Sequence, residues 1–192
     1  DWLERVARGH DDVVQAVARV GPVAPLRLAT ICLDDDAVRA RLAEWGPELR
    51  QALDRVEGRV EWSVKVYAPS PGPAEGPAPA ATGTGTGTDY LRRKRTLSQS
   101  RRSAEEHGAK TAGEIHEELA RRSVASRQLA AQDARLTGHQ GTMTLNGAYL
   151  VPEADVDAFA HEVDRLAGEH AGVRIESHGP WPPYSFATLE QQ

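Results

Sequence analysis

Residues 69–88 hold Pro69, Pro71, Pro73, Pro77 and Pro79, followed by the run Gly83-Thr84-Gly85-Thr86-Gly87-Thr88. Proline fixes φ and removes a backbone donor, glycine has the most chain entropy to lose, and the stretch has no large apolar side chain to offset either. It reads as a flexible linker or long loop. Packed structure must therefore come from the segments on either side. This organisation predicts an N-terminal domain over 1–68, a linker over 69–88 and a C-terminal domain over 89–192.

Both flanking segments have the means to fold. The chain is 192 residues long, 40% hydrophobic and 27% charged, which is globular rather than disordered composition. A formal net charge of −5 argues against general nucleic-acid binding. Cys32 is the one cysteine, so no internal disulfide can form. It lies in an apolar run, where a buried, inert thiol is expected. There is no signal peptide and no apolar run of the ~18 residues a membrane span needs, so the sequence reads as a soluble cytoplasmic protein. The chain opens on Asp1-Trp2-Leu3 without an initiator methionine, which suggests truncation at its start.

In the first segment, Leu3, Val6, Val13 or Val14, and Val17 share one helical face over 2–20, and Gly21-Pro22 ends that helix. Residues 25–33 read as a short strand. Asp34-Asp35-Asp36 supplies an N-cap and acidic charge at a helix start. That helix carries Val38, Leu42, Trp45, Leu49, Leu53 and Val56 on one face, with Pro47 predicting a kink or break. Residues 59–67 alternate: Trp62, Val64 and Val66 face one way, and Glu61, Ser63, Lys65 and Tyr67 the other, as in a half-buried strand.

After the linker, 90–122 predicts a long helix with a possible break near Gly108 or Gly113, its first half projecting into solvent or lying along a partner. Residues 124–129 and 142–151 predict strands, with Asn146-Gly147 as a tight turn or bulge. Pro152 opens a helix bearing Val156, Phe159, Val163, Leu166 and His170, and a final strand holds Val173 and Ile175. Helices on one face of antiparallel sheets give an α+β class. The order of elements fits two ferredoxin-like α+β domains with antiparallel sheets, the first lacking its opening strand.

Few constellations point to chemistry. His161-Glu162 with His170 lacks the second histidine four residues on that a metalloprotease helix needs, because Arg165 stands there. There is no nucleophile elbow, and Gly83, Gly85 and Gly87 are followed by no lysine, so they form no phosphate loop. Arg92, Arg93, Lys94 and Arg95, with Arg101 and Arg102, make a basic cluster. Residues 89–135 hold 11 basic and 7 acidic residues, a local +4 in an acidic chain. That cluster reads as a solvated helix face or a docking patch for an acidic partner. Without interleaved aromatics, nucleic acid is the weaker reading. The tail Gly179-Pro-Trp-Pro-Pro-Tyr-Ser-Phe186 concentrates Trp181, Tyr184 and Phe186 in a chain that is only 5% aromatic. Such a tail either caps the core or presents a recognition surface.

That tail resembles the C-terminal signature of the GvpL/GvpF gas vesicle proteins. Leu145-Asn-Gly-Ala-Tyr-Leu-Val-Pro152, Gly21-Pro-Val-Ala-Pro-Leu-Arg-Leu28, Gly58-Arg-Val-Glu-Trp-Ser-Val-Lys-Val-Tyr67 and Tyr90-Leu-Arg-Arg-Lys-Arg95 are similar to other segments of that family, in the same order. The resemblance covers nearly the whole chain apart from the linker. It departs in lacking the family's strand region before the first helix. It implies an accessory protein of gas vesicle formation, located at the gas vesicle in the cytoplasm. It implies contact with the hydrophobic shell subunit GvpA and other gas vesicle proteins, with no catalysis and no cofactor. Trp181, Tyr184, Phe186 and Trp45 are then the candidate partner-binding or domain-capping residues. The runner-up is an anion or nucleic-acid binding module using the Arg92–Arg102 cluster; a third reading is a metal-dependent hydrolase using His161 and His170.

Overall fold

The structure is a computed structural model that describes residues 2–26, 28, 30–69, 87–132 and 141–187. The side chains of 87–94, 97, 100 and 101 lie outside that description, as do residues 70–86, which make up most of the Pro/Gly/Thr stretch. The fold is α+β, built on a four-stranded antiparallel sheet in the order β2-β3-β1-β4. The strands are β1 (Arg59–Ala68), β2 (Ala125–Gln128), β3 (Thr142–Pro152) and β4 (Arg174–Trp181).

The sequence reading anticipates a sheet in each half, but the described strands form one. β1 comes from before the Pro/Gly/Thr stretch and sits between two strands that follow it. It pairs with β3 from Arg59↔Pro152 to Ala68↔Thr142 and with β4 from Glu61↔Trp181 to Tyr67↔Arg174. Among the described residues β1 has no strand of its own half to pair with. The described residues of 25–33 are irregular backbone, with Ile31 81% and Leu33 95% exposed. Pro25 withholds a ladder donor there. A central strand must satisfy both of its edges, and the strands of the second half do so.

One sheet face carries the main core. Trp62, Val64 and Val66 of β1 and Leu145, Tyr149 and Val151 of β3 meet two helices, α4 (Gly87–Arg121) and α5 (Val156–Glu169). A 3₁₀ turn over Glu153–Asp155 precedes α5. Ala112, Ile115 and Leu119 of α4 and Phe159, Val163 and Leu166 of α5 recur at helical spacing, and all are buried. Phe159 stacks at 5.7 Å from both Trp62 and Tyr149, and Tyr149 hydrogen-bonds His116 Nδ1 at 2.8 Å through its hydroxyl. Burial pushes the Tyr149 phenol up and the His116 imidazole down. Helix α4 runs unbroken through Gly108 and Gly113. At Gly108 it comes so close to β1 that a Cβ would lie 2.7 Å from the Cβ of Ala68.

Asn146-Gly147 is neither turn nor bulge: β3 passes straight through, opposite Lys65 and Val64. The Tyr149 ring lies over Gly147, filling the space a side chain would take. The irregularity in this ladder falls at Val66/Tyr67 instead.

The other sheet face packs a smaller cluster of Val56, Ala148, Leu150, Phe186 and Ala187. Val56 ends α3 (Gly46–Val56), which follows α2 (Asp35–Glu44) after a break at Trp45 beside Pro47. Asp34 caps α2, its Oδ1 accepting from the Ala37 N–H at 2.7 Å. Helix α1 (Trp2–Ala18) buries only Val14.

Candidate partner-docking surface

The aromatic tail closes the smaller core. β4 ends at Trp181, and Tyr184–Ala187 form one helical turn, α6. Gly179 sits within β4 where its register against β1 shifts between Glu61 and Ser63: its φ is +153°, and a Cβ there would meet the Glu61 carbonyl and the Trp62 ring at 3.0 Å. Phe186 is 2% exposed, packed against Val56, Ala148 and Leu150, with the Arg127 guanidinium 5.7 Å from its ring centroid. The Phe186 carbonyl accepts from Arg55 Nη1 at 2.9 Å.

A buried carboxylate fixes this turn. Glu61 accepts from the Ser185 N–H at 2.7 Å and from the Ser185 hydroxyl at 2.6 Å. Burial pushes its carboxyl above the ordinary glutamate range, and the two Ser185 hydrogen bonds and Arg127 pull it partly back. The alternation of β1 places Glu61 on a face with Ser63 and Lys65 that looks solvent-directed from sequence. The tail that covers it comes from more than a hundred residues away, so no local pattern signals this pair.

The tail also holds α1. The Tyr184 hydroxyl donates to Asp11 Oδ1 at 3.0 Å, and the Tyr184 phenol is pushed up to about 12 by burial and by Asp11. Between the end of α1 and the tail lies an open cleft of about 510 Å³, bounded by Val20, Pro22, Trp181, Pro182 and Pro183.

The four aromatic candidates thus fall in different settings. Phe186 is interior, Tyr184 is half-buried at the α1 junction, and Trp181 is 44% exposed at the cleft. Trp45 is half-buried at the α2–α3 break, with the Arg41 guanidinium 5.0 Å from its ring centroid. Trp181, Tyr184 and Phe186 are brought together, while Trp45 stands apart in the other helical pair.

The largest exposed apolar feature lies elsewhere. Of fourteen exposed large apolar side chains among the described residues, eleven fall within residues 2–42. They include Trp2 (66%), Val13 (63%), Ile31 and Leu33, together with Val38 and Leu42 on α2. The helical stripes of α1 and α2 read from sequence therefore exist, but most of their residues face outward. Cys32 is only half-buried in the irregular segment, not enclosed in a strand as expected.

The basic cluster sits on the first turns of α4. Arg95 and Arg102 are exposed, and Arg102 pairs with Glu106 at 3.1 Å. The side chains of Arg92, Arg93, Lys94 and Arg101 lie outside the described ones. His161 is exposed, its Nδ1–H donating to the Asp157 carbonyl at 2.8 Å, and His170 is the C-terminal cap of α5. Among the described residues no three His, Cys, Asp or Glu side chains converge as metal ligands, and no helix is long and apolar enough to cross a membrane.

Comparison with known proteins places these features. Residues 1–188 match the family model described as gas vesicle synthesis protein GvpL/GvpF. Gas vesicle protein L of Streptomyces sp. (strain CB03234) is 42% identical over 194 residues, covering all of this chain and 72% of the relative. Gas vesicle protein L2 of Halobacterium salinarum is 30% identical over 205 residues, covering 97% of this chain and 72% of the relative. The crystal structure of gas vesicle protein GvpF from Anabaena sp. PCC7120 superposes with a TM-score of 0.71 over 98% of this chain and 76% of that one. At 18% identity it speaks for the fold alone.

Proposed function

This chain belongs to the GvpL/GvpF gas vesicle protein family, and from that premise we propose that it is a non-catalytic accessory of gas vesicle formation that covers apolar surface of the shell subunit GvpA. The observation that carries this reading is the outward-facing apolar set on residues 2–42. Exposed apolar side chains in such number mark an interaction surface, since each gains free energy only when another surface removes it from water. A shell subunit rich in apolar surface needs such cover before it assembles. The protein acts at the gas vesicle, as an assembly factor or a minor component.

In this reading Trp181 and the cleft beside it extend the docking surface. Tyr184, Phe186 and Trp45 support it from beneath by fixing α1 and the α2–α3 pair. The test is capture of GvpA by the wild type and by two variants. A Val13→Ser, Val17→Ser, Ile31→Ser variant is expected to lose capture while its near-UV circular dichroism and melting temperature stay unchanged. A Trp181→Ala, Tyr184→Ala variant is expected to weaken it. Undiminished capture by the folded triple variant rejects the proposal.

A further inference from the structure

Helix α4 is 35 residues long, and among its described side chains those that pack on the sheet lie in its second half. The first of the described ones to be buried is Gly108, which meets Ala68 at the last rung of β1. Before that point Arg95, Thr96, Ser98, Gln99 and 102–107 are all exposed. At 1.5 Å per residue, the stretch from Gly87 to Gly108 extends about 30 Å beyond the sheet. Most helical stability in proteins comes from tertiary packing, so this arm has stability to gain from a partner.

Charge says what kind of partner. Residues 89–102 hold six basic residues and one acidic, a net +5, in a chain of net −5, so the remainder carries −10. An acidic counterpart is the turn and helix over 153–169, with six acidic residues against Arg165, a net −5. Arg165 is already paired to Glu162 at 2.6 Å and to Glu169 at 2.5 Å. Glu153, Asp155 and Asp157 are exposed and make no ion pair among the described residues. The neighbouring cations Arg121 and Arg122 are paired to Glu118 and Glu162.

Position makes the match intermolecular. The arm leaves the sheet at the Ala68↔Thr142 end, whereas Glu153, Asp155 and Asp157 follow Pro152, which pairs with Arg59 at the opposite end. A ten-residue strand separates the two poles by roughly 33 Å, and the arm points away from the acidic one. We propose that copies of this chain associate head to tail, the basic arm of one on the acidic start of α5 of the next. This is a heterologous contact, which propagates as a row unless its rotation closes a ring. It is independent of the GvpA reading, because it uses charged elements outside residues 2–42.

The test is sedimentation of the purified chain across concentration and salt. Weight-average mass is expected to rise with concentration at about 10 mM salt and to return to the monomer near 1 M, as the Debye length falls from about 30 to about 3 Å. Association through the apolar face would instead strengthen with salt. An Arg92→Glu, Arg93→Glu, Lys94→Glu, Arg95→Glu variant and a Glu153→Lys, Asp157→Lys variant should each lose at least about tenfold in association constant, and mixing the two should restore it. Neutral Glu153→Gln, Asp157→Asn substitutions give the same readout if the lysine variant does not fold. A monomer at every salt concentration overturns the proposal, as does association untouched by the α5 substitutions. A monomer that instead binds a single-stranded oligonucleotide through the arm also overturns it and assigns the arm to nucleic acid.

Discussion

Residues 2–42 and the sheet body answer the same kind of sequence pattern in opposite ways. Both carry apolar residues at helical spacing. In α4 and α5 those residues, Ile115, Leu119, Phe159, Val163 and Leu166, are all less than 5% exposed. In α1 and α2 Leu3, Val6, Val13, Val17, Val38 and Leu42 are all at least 37% exposed, and Val14, at 4%, is the buried exception. Periodicity states which residues share a face; it does not state whether this chain supplies what covers that face. The contrast is between a region whose apolar faces pack against one another and a region whose apolar faces are open among the described residues.

The comparison breaks most readily at Phe159. Phe159→Ala removes a ring stacked on Trp62 and Tyr149 and is expected to cost about 3–5 kcal/mol in denaturant unfolding. Val13→Ala should stay within about 0.5 kcal/mol. If both cost alike, α1 is part of the core and the contrast is false.

The next effect tests the junction between the regions. Glu61→Ala leaves the Ser185 donors without their acceptor and is expected to cost about 1–3 kcal/mol. Glu61→Gln can still accept from the Ser185 N–H and donate to its hydroxyl oxygen, so it should cost much less. The two also differ from the wild type in pH dependence. The folded carboxyl of Glu61 is raised above its ordinary value of 4.5, so the folded state holds this proton more tightly than the unfolded chain does. Its contribution is fully present below about 4.5 and is lost as pH rises through the folded value. Melting temperature against pH should lose that component in Glu61→Gln.

The smallest effect sharpens the picture within residues 2–42. Asp34→Ala removes the cap of α2 and is expected to cost about 1 kcal/mol. The loss should be read in amide exchange of α2 more than in global unfolding, because α2 buries no residue.

Much of the fold was legible before the structure. Alternation marked β1 and its two faces, helical spacing marked α1 and α5, helix-favouring composition marked α4, Pro47 marked the break between α2 and α3, and residues 124–129 marked β2. What was illegible depends on partners distant in sequence. The place of β1 between β3 and β4 is a choice made across the low-complexity stretch. Residues 25–33 have strand-like apolar content but no ladder to join. Asn146-Gly147 has turn composition, overridden by ten paired positions with β1 and by the ring of Tyr149. At the candidate docking surface, aromatic density drew attention to a tail that the structure packs beside α1 and α3. The Glu61–Ser185 pair was not legible, since a glutamate beside Ser63 and Lys65 looks like any water-facing strand position.

The central position of β1 changes what the Pro/Gly/Thr stretch means. A compositional seam in the polypeptide is not a seam in the hydrogen-bonded ladder, because strands from both sides of it interleave in one sheet. A nick within 70–86 would leave two fragments zipped edge to edge, and added or deleted residues there would leave every strand pairing in place. The length of the stretch is therefore decoupled from the architecture around it.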